Sequence, residues 1–345
     1  MFKKWFSGDS IEAAYDRLQI PGWHGKLPRE WLQVSGEGQP QQATLTLPFA
    51  AGEQFLAPFK ADPVLGKLNW ELRLKITKLP NSQPELPMLY GNVIVVSSGK
   101  GGVGKSSVSV QLALALASFG AKVGLLDADV YGPSLPTMMG GADEKLNYTA
   151  QNKMIPHLRH GVWVSSLGYL TDAKAPAIWR GPVASAALQQ LFRDSQWPQL
   201  DYLLVDMPPG TGDIQLTMAQ KLPITGAVVV TTPQTVALAD AEKGIEMFRK
   251  VGIPLTGIIE NMSFFECSQC GHHEAIFGTG GGAGVAQREA LPLLGEWPLA
   301  ARMRAALDEG IPLAIQAPDD PLVAMISRTA QQLAMQLYQQ AKLTP

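Results

Sequence analysis

The sequence has 345 residues, of which 46% are hydrophobic and 17% charged, and its formal net charge is -2. This composition is typical of a globular protein with one large domain or two smaller ones, and it excludes an intrinsically disordered chain. The small net charge gives no reason to expect nucleic acid as a bulk partner. No run of about 18 apolar residues and no secretory signal are visible, so we expect a cytoplasmic protein that does not bind membranes.

The first 80 residues predict a small α+β domain. Residues 11–18 mix apolar and charged positions in a pattern that predicts a short amphipathic helix. Alternating apolar and polar residues at 42–48 and at 68–76 predict two half-buried strands. Three prolines between residues 79 and 87 then indicate a linker, which we place at residues 81–90.

Residues 91–345 have the pattern of a P-loop α/β domain. Short, continuously apolar runs are typical of strands that are buried on both faces, and they occur at 92–97, 122–127, 202–206, 226–231 and 255–260. Helical segments are predicted at 107–119, 235–251 and 322–343, and the first two end just before a glycine. This alternation predicts a doubly wound, mostly parallel sheet with helices on both faces.

A phosphate-binding loop follows the first of these strands. Residues 99–106 match G-x-x-x-x-G-K-[ST] between a predicted strand and a predicted helix, which is the context that the motif requires. The glycines let backbone N–H groups converge on phosphate oxygens, and the helix N-terminus favours an anion. We expect Lys105 to reach the β- and γ-phosphates and Ser106 to bind Mg²⁺. The predicted nucleotide-binding residues of the loop are Gly99, Lys100, Gly101, Gly102, Val103, Gly104, Lys105, Ser106 and Ser107.

Three aspartates end two of the other apolar runs. Asp206 is expected at the carboxyl edge of the sheet beside the loop, where it can hold Mg²⁺ directly or through water. Asp127 and Asp129 are expected at the same edge. Either of these two can alternatively be a helix cap or a turn residue.

The only two cysteines, Cys267 and Cys270, form a C-x-x-C motif that lets two thiolates bind one metal centre. A thioredoxin-like redox pair would lie at the start of a helix, whereas this pair follows a strand. A zinc site needs four ligands, and His272 and His273 could complete one, but we expect these histidines to support the turn rather than to bind metal. The glycine-rich run at 278–284 lacks the preceding strand that a second nucleotide site requires, and we expect a flexible loop there.

With these motifs, the chain resembles the Mrp/ApbC iron–sulfur cluster carrier ATPases, which are deviant Walker A relatives of the septum-site and plasmid-partition ATPases. The resemblance extends from residue 92 to the C-terminus. It implies a homodimer that binds a labile cluster and transfers it to apo-proteins, with slow ATP hydrolysis. The region before residue 80 is similar to the family's iron–sulfur assembly domain only around residues 45–49, and it contains no cysteine. The motifs that carry the resemblance are 97–107, 127–134, 179–182, 206–213, 260–263 and 267–273.

The resemblance also implies roles for individual residues. Lys100 would reach across the dimer interface to the partner's nucleotide. Asp129 would orient the attacking water, and Asp127 would lie near the metal. Asn261 would hydrogen-bond the adenine edge, although an asparagine here can also simply form the turn after a strand. The predicted catalytic residues are Lys100, Lys105, Asp127, Asp129 and Asp206.

A homodimer would also explain the cysteine pair. Two chains supply the four thiolates of a bridging [4Fe–4S] cluster. Zinc could use the same thiolates as a structural clasp between subunits, which is the first alternative. The second is a positioning ATPase that cycles on a membrane or DNA. It is disfavoured because the predicted helix at 322–343 has only two basic residues, Arg328 and Lys342.

Overall fold

The computed structural model describes residues 10–36, 40–83, 90–130, 132–170 and 181–343. Most of the predicted linker at 81–90 therefore lies outside the described residues, as do Trp179 and Arg180 of the motif at 179–182. Within the described ranges, no helix is long and apolar enough to cross a membrane.

The N-terminal region forms a three-stranded sheet with short helices. In this sheet the second strand is central, antiparallel to the first and parallel to the third. The side chain of Ser10 caps the first helix by accepting a hydrogen bond from the Ala13 N–H. The helix predicted at 11–18 and the strands predicted at 42–48 and 68–76 are confirmed to within two residues. The elements are α1 (Ile11–Arg17), β1 (Leu32–Ser35), β2 (Gln42–Leu47), α2 (Ala57–Ala61) and β3 (Asn69–Leu74).

The rest of the described chain alternates strands and helices. The strands are β4 (Asn92–Ser98), β5 (Val123–Asp127), β6 (Asn147–Tyr148), β7 (Met154–Ile155), β8 (His157–Arg159), β9 (Val162–Ser166), β10 (Tyr202–Asp206), β11 (Gly226–Thr231), β12 (Leu255–Glu260), β13 (Phe265–Glu266), β14 (His273–Glu274) and β15 (Leu293–Glu296). The helices are α3 (Lys105–Ser118), α4 (Leu135–Met138), α5 (Gly181–Asp194), α6 (Asp213–Lys221), α7 (Thr235–Lys250), α8 (Gly281–Arg288), α9 (Ala301–Asp308), α10 (Leu313–Gln316) and α11 (Pro321–Leu343).

Eight of these strands form one sheet in the order β15-β12-β11-β4-β10-β5-β9-β8. All neighbours in it are parallel except the edge strand β8, which is antiparallel to β9. The five strands predicted from continuous apolar runs are buried along their whole length. The prediction of a doubly wound, mostly parallel α/β sheet is confirmed. β8, β9 and β15 lie at or next to the sheet edges and were not predicted, because none of them is a continuously apolar run.

The glycine-rich run at 278–284 is not a flexible loop as predicted, because its second half is the first turn of α8. A Cβ on Gly281 would lie 2.6 Å from the Leu238 side chain, and one on Gly282 would lie 2.8 Å from the Glu260 carboxylate. The Gly282 N–H donates to that carboxylate. These glycines therefore allow a helix to pack closely against α7 and β12.

The N-terminal region packs against the last helix of the chain. Trp23, Trp31 and Phe49 surround Tyr338 of α11, with ring centroids 5.7 to 6.4 Å from that of Tyr338. The hydroxyl of Tyr202 at the start of β10 accepts a hydrogen bond of 3.0 Å from a buried backbone N–H of the region. Both ends of the described chain therefore share one hydrophobic core.

Candidate functional site

The loop between β4 and α3 is shaped by its glycines. Gly104 has a φ of +80°, a left-handed conformation that favours glycine, and α3 begins directly after it. A Cβ on Gly99 would lie 2.1 Å from the backbone of Asp240, whereas nothing lies within 4 Å of a Cβ on Gly101 or Gly102. The loop thus has one closely packed face and one open face. No side chain caps the start of α3, so this helix N-terminus can receive an anion at the open face.

The residues at the start of α3 converge on one buried carboxylate. Asp206 accepts hydrogen bonds from Lys105 Nζ at 2.7 Å, from Ser106 Oγ at 2.5 Å and from Ser109 Oγ at 2.7 Å. Lys105 is 6% exposed and Asp206 is fully buried, so the two charges neutralise each other away from water. Ser109 was missed in the sequence. Its position four residues after Lys105, on the same helix face, was the available signal.

Asp127 lies directly opposite Asp206, because β5 and β10 are paired in parallel with these two residues in register. Burial and the neighbouring Asp206 carboxylate raise the pKa of Asp127 to about 7. Its Oδ2 accepts hydrogen bonds from Ser166 Oγ at 3.0 Å and from the Leu135 N–H at 3.2 Å. Two carboxylates therefore lie side by side at the carboxyl edge of the sheet, next to the phosphate-binding loop.

The other predicted catalytic residues lie near this edge. The Asp129 N–H donates to Asp127 Oδ1 at 3.1 Å, so Asp127 also shapes the turn that carries Asp129. Lys100 is half-buried in the loop, and its carbonyl accepts a hydrogen bond of 2.9 Å from Ser98 Oγ. The structure therefore brings Lys105, Asp127 and Asp206 together, puts Asp129 beside Asp127, and leaves Lys100 in the loop after β4.

Asn261 supports the phosphate-binding loop from the neighbouring strands. It follows β12, is 2% exposed, and its Nδ2 donates to the Val103 carbonyl at 2.9 Å. Its Oδ1 is buried and has no hydrogen-bond partner. The contact with adenine stays a prediction, whereas the contact with the loop was not foreseen.

The two cysteines lie in the turn of a small hairpin. β13 and β14 pair in an antiparallel manner, and the Cys267 N–H donates to the His272 carbonyl at 2.9 Å. Cys267 is half-buried and Cys270 is exposed. The backbone N–H groups of Cys270 and then Gln269, followed by the Cys270 thiol, lower the pKa of Cys267. This turn therefore favours a thiolate, which is the form that binds metals.

A single chain does not complete a metal site at the hairpin. Across the described residues, no group of three or more His, Cys, Asp or Glu side chains is arranged to hold a metal ion. The ring of His273 instead packs on Phe264, with centroids 4.4 Å apart. Within the described residues, His272 and His273 are therefore not arranged with the cysteines as a zinc site. A metal centre here needs ligands from elsewhere.

The segment from Asn261 to Cys267 connects the two sites. Ser263 N donates to the Trp297 carbonyl at 2.9 Å, and the Phe264 carbonyl accepts from Leu299 N at 2.7 Å. Arg302 holds the first strand of the cysteine hairpin in place. Its side chain lies 3.0 Å from the Glu266 carboxylate and 2.7 Å from the Asp320 carboxylate. The cysteine hairpin is thus fixed to the molecule along a short path that begins at the phosphate-binding loop. Arg302 and Asp320 were not identified from the sequence.

Comparison with known proteins points to one family. Residues 90–334 match the family model described as "NUBPL iron-transfer P-loop NTPase" within the ParA group. The chain is 51% identical over 280 residues to the "Iron-sulfur cluster carrier protein" of Escherichia coli, covering 81% of this chain and 76% of that protein. It is 46% identical over 322 residues to the protein of the same name from Haemophilus influenzae, covering 91% and 87%.

Solved structures agree with the fold. A nucleotide-binding protein from Archaeoglobus fulgidus in complex with ADP is 35% identical, with a TM-score of 0.59, covering 68% of this chain and 91% of that one. The cell division ATPase MinD of Pyrococcus furiosus shares the fold at 21% identity, with a TM-score of 0.52, covering 70% and 98%. The family model and the relatives together confirm the resemblance drawn from the motifs. The chain belongs to the iron-transfer P-loop NTPases, the family of the iron–sulfur cluster carrier proteins.

Proposed function

We propose that this protein is an ATP-dependent carrier that binds a [4Fe–4S] cluster between two subunits and transfers it to apo-proteins, with slow ATP hydrolysis. The observation that carries the proposal is the cysteine hairpin, which has one exposed cysteine, one half-buried cysteine of lowered pKa, and no third ligand among the described residues. Two copies of the chain would supply four thiolates, the usual ligand set of such a cluster. The names of the relatives from E. coli and H. influenzae support the same reading.

The phosphate-binding loop fits a nucleotide. Its open face at Gly101 and Gly102 leaves room for phosphate oxygens, and the uncapped start of α3 favours their charge. Lys105 would bind the β- and γ-phosphates, while Ser106 and Asp206 would hold Mg²⁺. Bound Mg²⁺ would neutralise charge on the phosphates during hydrolysis.

Lys105 and Asp206 would both change their partners when a nucleotide and Mg²⁺ bind. Lys105 and Asp206 neutralise each other at 2.7 Å. On binding, Lys105 would turn to the phosphates and Asp206 to the metal, so neither charge is left unpaired in the interior. Asp127 would support the metal from the adjacent strand, Asp129 would orient the attacking water, and Lys100 would contact the nucleotide of the partner subunit.

The cargo site is suited to release as well as to binding. Cys270 is exposed, so an incoming thiolate of an acceptor protein can reach the cluster and replace the carrier's thiolates one at a time. The short, anchored segment between Asn261 and Cys267 supports a coupling in which the state of the nucleotide site alters the hairpin. The cysteine-free N-terminal region would serve as a structural or client-binding domain.

Cluster transfer in a defined mixture tests the proposal. Wild-type protein reconstituted with iron and sulfide is incubated with a small apo-ferredoxin, with and without MgATP, and the transferred cluster is measured from the spectrum of the re-isolated acceptor. We expect transfer from the wild type, no loading of Cys267→Ala, and normal loading of Lys105→Ala with loss of both ATP hydrolysis and the ATP effect. Full loading of Cys267→Ala, or ATP hydrolysis by Lys105→Ala at the wild-type rate, would contradict the proposal.

A further inference from the structure

A cavity lies at the opposite end of the sheet from the two sites above. It has a volume of about 520 Å³, and it is bounded by the N-terminal region, the start of β12, the residues before β15, and α11. Leu255, the first residue of β12, lines it, whereas Asn261 and the phosphate-binding loop lie beyond the other end of that strand. The cavity is therefore separate from the nucleotide and cysteine sites. Its volume falls within the range of about 300 to 1,000 Å³ that small-molecule sites occupy.

The walls combine apolar surfaces with a few polar groups. Trp23, Leu255, Leu291 and Tyr338 provide apolar area around the cavity. Sites for small molecules typically show such a lining with a few polar groups that fix the orientation of the ligand. The ligand that fits this lining has an apolar body of moderate size.

One of the polar groups is a buried amide with unused hydrogen-bonding capacity. Gln339 is only 8% exposed, it lines the cavity, and its Oε1 has no hydrogen-bond partner. Its Nε2 makes only a long contact of 3.5 Å, to the carbonyl of His24. Because the two ends of an amide can exchange by a rotation of the side chain, Gln339 can offer either a donor or an acceptor to a ligand.

One lysine lines the cavity. Lys342 has its Nζ 5.6 Å from the centre of the Tyr338 ring. Arg249, in a second cavity that shares Leu255 and Leu291, is paired with the Glu289 carboxylate and adds no free charge. Among the described residues, no aspartate or glutamate lines the first cavity, so an anionic group on the ligand would meet the Lys342 ammonium and no carboxylate of the lining.

From these observations we propose that the cavity is a binding site for a small amphipathic carboxylate, with its apolar body against Trp23, Leu291 and Tyr338 and its carboxylate toward Lys342. The Gln339 amide hydrogen-bonds the polar end of the ligand. The site joins the N-terminal region to α11, so an occupied site stabilises the packing of these two parts against each other. This inference does not depend on the proposed cluster transfer.

Calorimetric titration of the full chain with octanoate and with 1-octanol, which has the same chain length and no charge, tests the site. We expect saturable binding of octanoate at one site per chain. Leu291→Trp, which fills the cavity, removes the binding of both probes. Lys342→Gln weakens octanoate about threefold, as for an exposed ion pair, and leaves octanol unchanged. Lys250→Gln, at an exposed lysine of α7 that does not line the cavity, is the matched control and changes neither.

Three results would overturn the inference. The first is no saturable binding of octanoate to the wild type at millimolar concentration. The second is unchanged binding in a folded Leu291→Trp variant, as judged by thermal melting. The third is equal loss of octanoate affinity in Lys342→Gln and Lys250→Gln, which would mean that the carboxylate responds to general surface charge. If Leu291→Trp does not fold, the two lysine variants and the two probes decide the matter.

Discussion

The buried carboxylate of Asp127 should make the protein less stable as the pH rises toward neutrality. Its pKa is raised from 3.8 to about 7 by burial and by Asp206, so the folded state holds a proton that the unfolded chain releases. The resulting stabilisation is fully present below pH 4 and is lost as the pH rises through 7. The slope is about 1.4 kcal/mol per pH unit and flattens near the folded-state pKa, so the loss between pH 5 and pH 7 is about 2 kcal/mol. Asp127→Asn cannot titrate and should lack this loss.

Urea denaturation of the nucleotide-free protein at pH 5, 6, 7 and 8 measures the effect. The variant also changes the hydrogen bonds to Ser166 and Leu135, but that contribution does not vary with pH and cancels when the curves are compared across pH. The free energy of unfolding of Asp127→Asn minus that of the wild type should rise by about 2 kcal/mol from pH 5 to pH 7 and level off toward pH 8. Asp240→Asn, at an exposed ion pair with Lys243, is the control. Parallel curves for Asp127→Asn and the wild type would refute the reasoning.

Three further changes test other parts of the structure. Gly104→Ala should abolish nucleotide binding in a fluorescent-ADP titration, because φ is +80° and the new Cβ would lie 2.3 Å from the buried Asn261 amide nitrogen. Binding at wild-type strength would contradict the loop geometry. Arg302→Gln should speed hydrogen exchange in the hairpin that carries Cys267 without changing ATP hydrolysis, and unaltered exchange would show that the ion pairs do not anchor it. Tyr202→Phe should lower the free energy of unfolding, measured in urea, by about 1 to 3 kcal/mol, because the buried Ala50 N–H loses its hydrogen-bond acceptor. A smaller change would mean that this N–H finds another acceptor.

The sheet and the phosphate site were predictable because their signals are local. The five predicted strands of the sheet are continuous apolar runs in the sequence. The phosphate-binding motif lies between a predicted strand and a predicted helix, so its context could also be read from the sequence. Asp206 and Asp127 could be placed together because parallel strands bring their carboxyl ends to one edge. Their exact pairing across β5 and β10 confirms this placement.

The remaining features depend on contacts between distant segments. Ser166 reaches Asp127 because β9 pairs with β5, and Arg302 reaches Glu266 across a gap of 36 positions, which no local pattern shows. The glycines at 281 and 282 were misread because their conformational freedom suggested a loop, whereas their small size allows the helix to pack closely. The positions where sequence reasoning failed are therefore set by packing rather than by local propensity.

The central claim is that two subunits share one cluster through Cys267 and Cys270. Anaerobic reconstitution with iron and sulfide, followed by size separation and by iron, sulfide and zinc analysis, tests it most directly. We expect a dimer with about four irons and four sulfides, and visible absorption that is lost in Cys267→Ala and in Cys270→Ala. A dimer that holds about one zinc and retains no iron would contradict the claim and would make the cysteines a structural clasp.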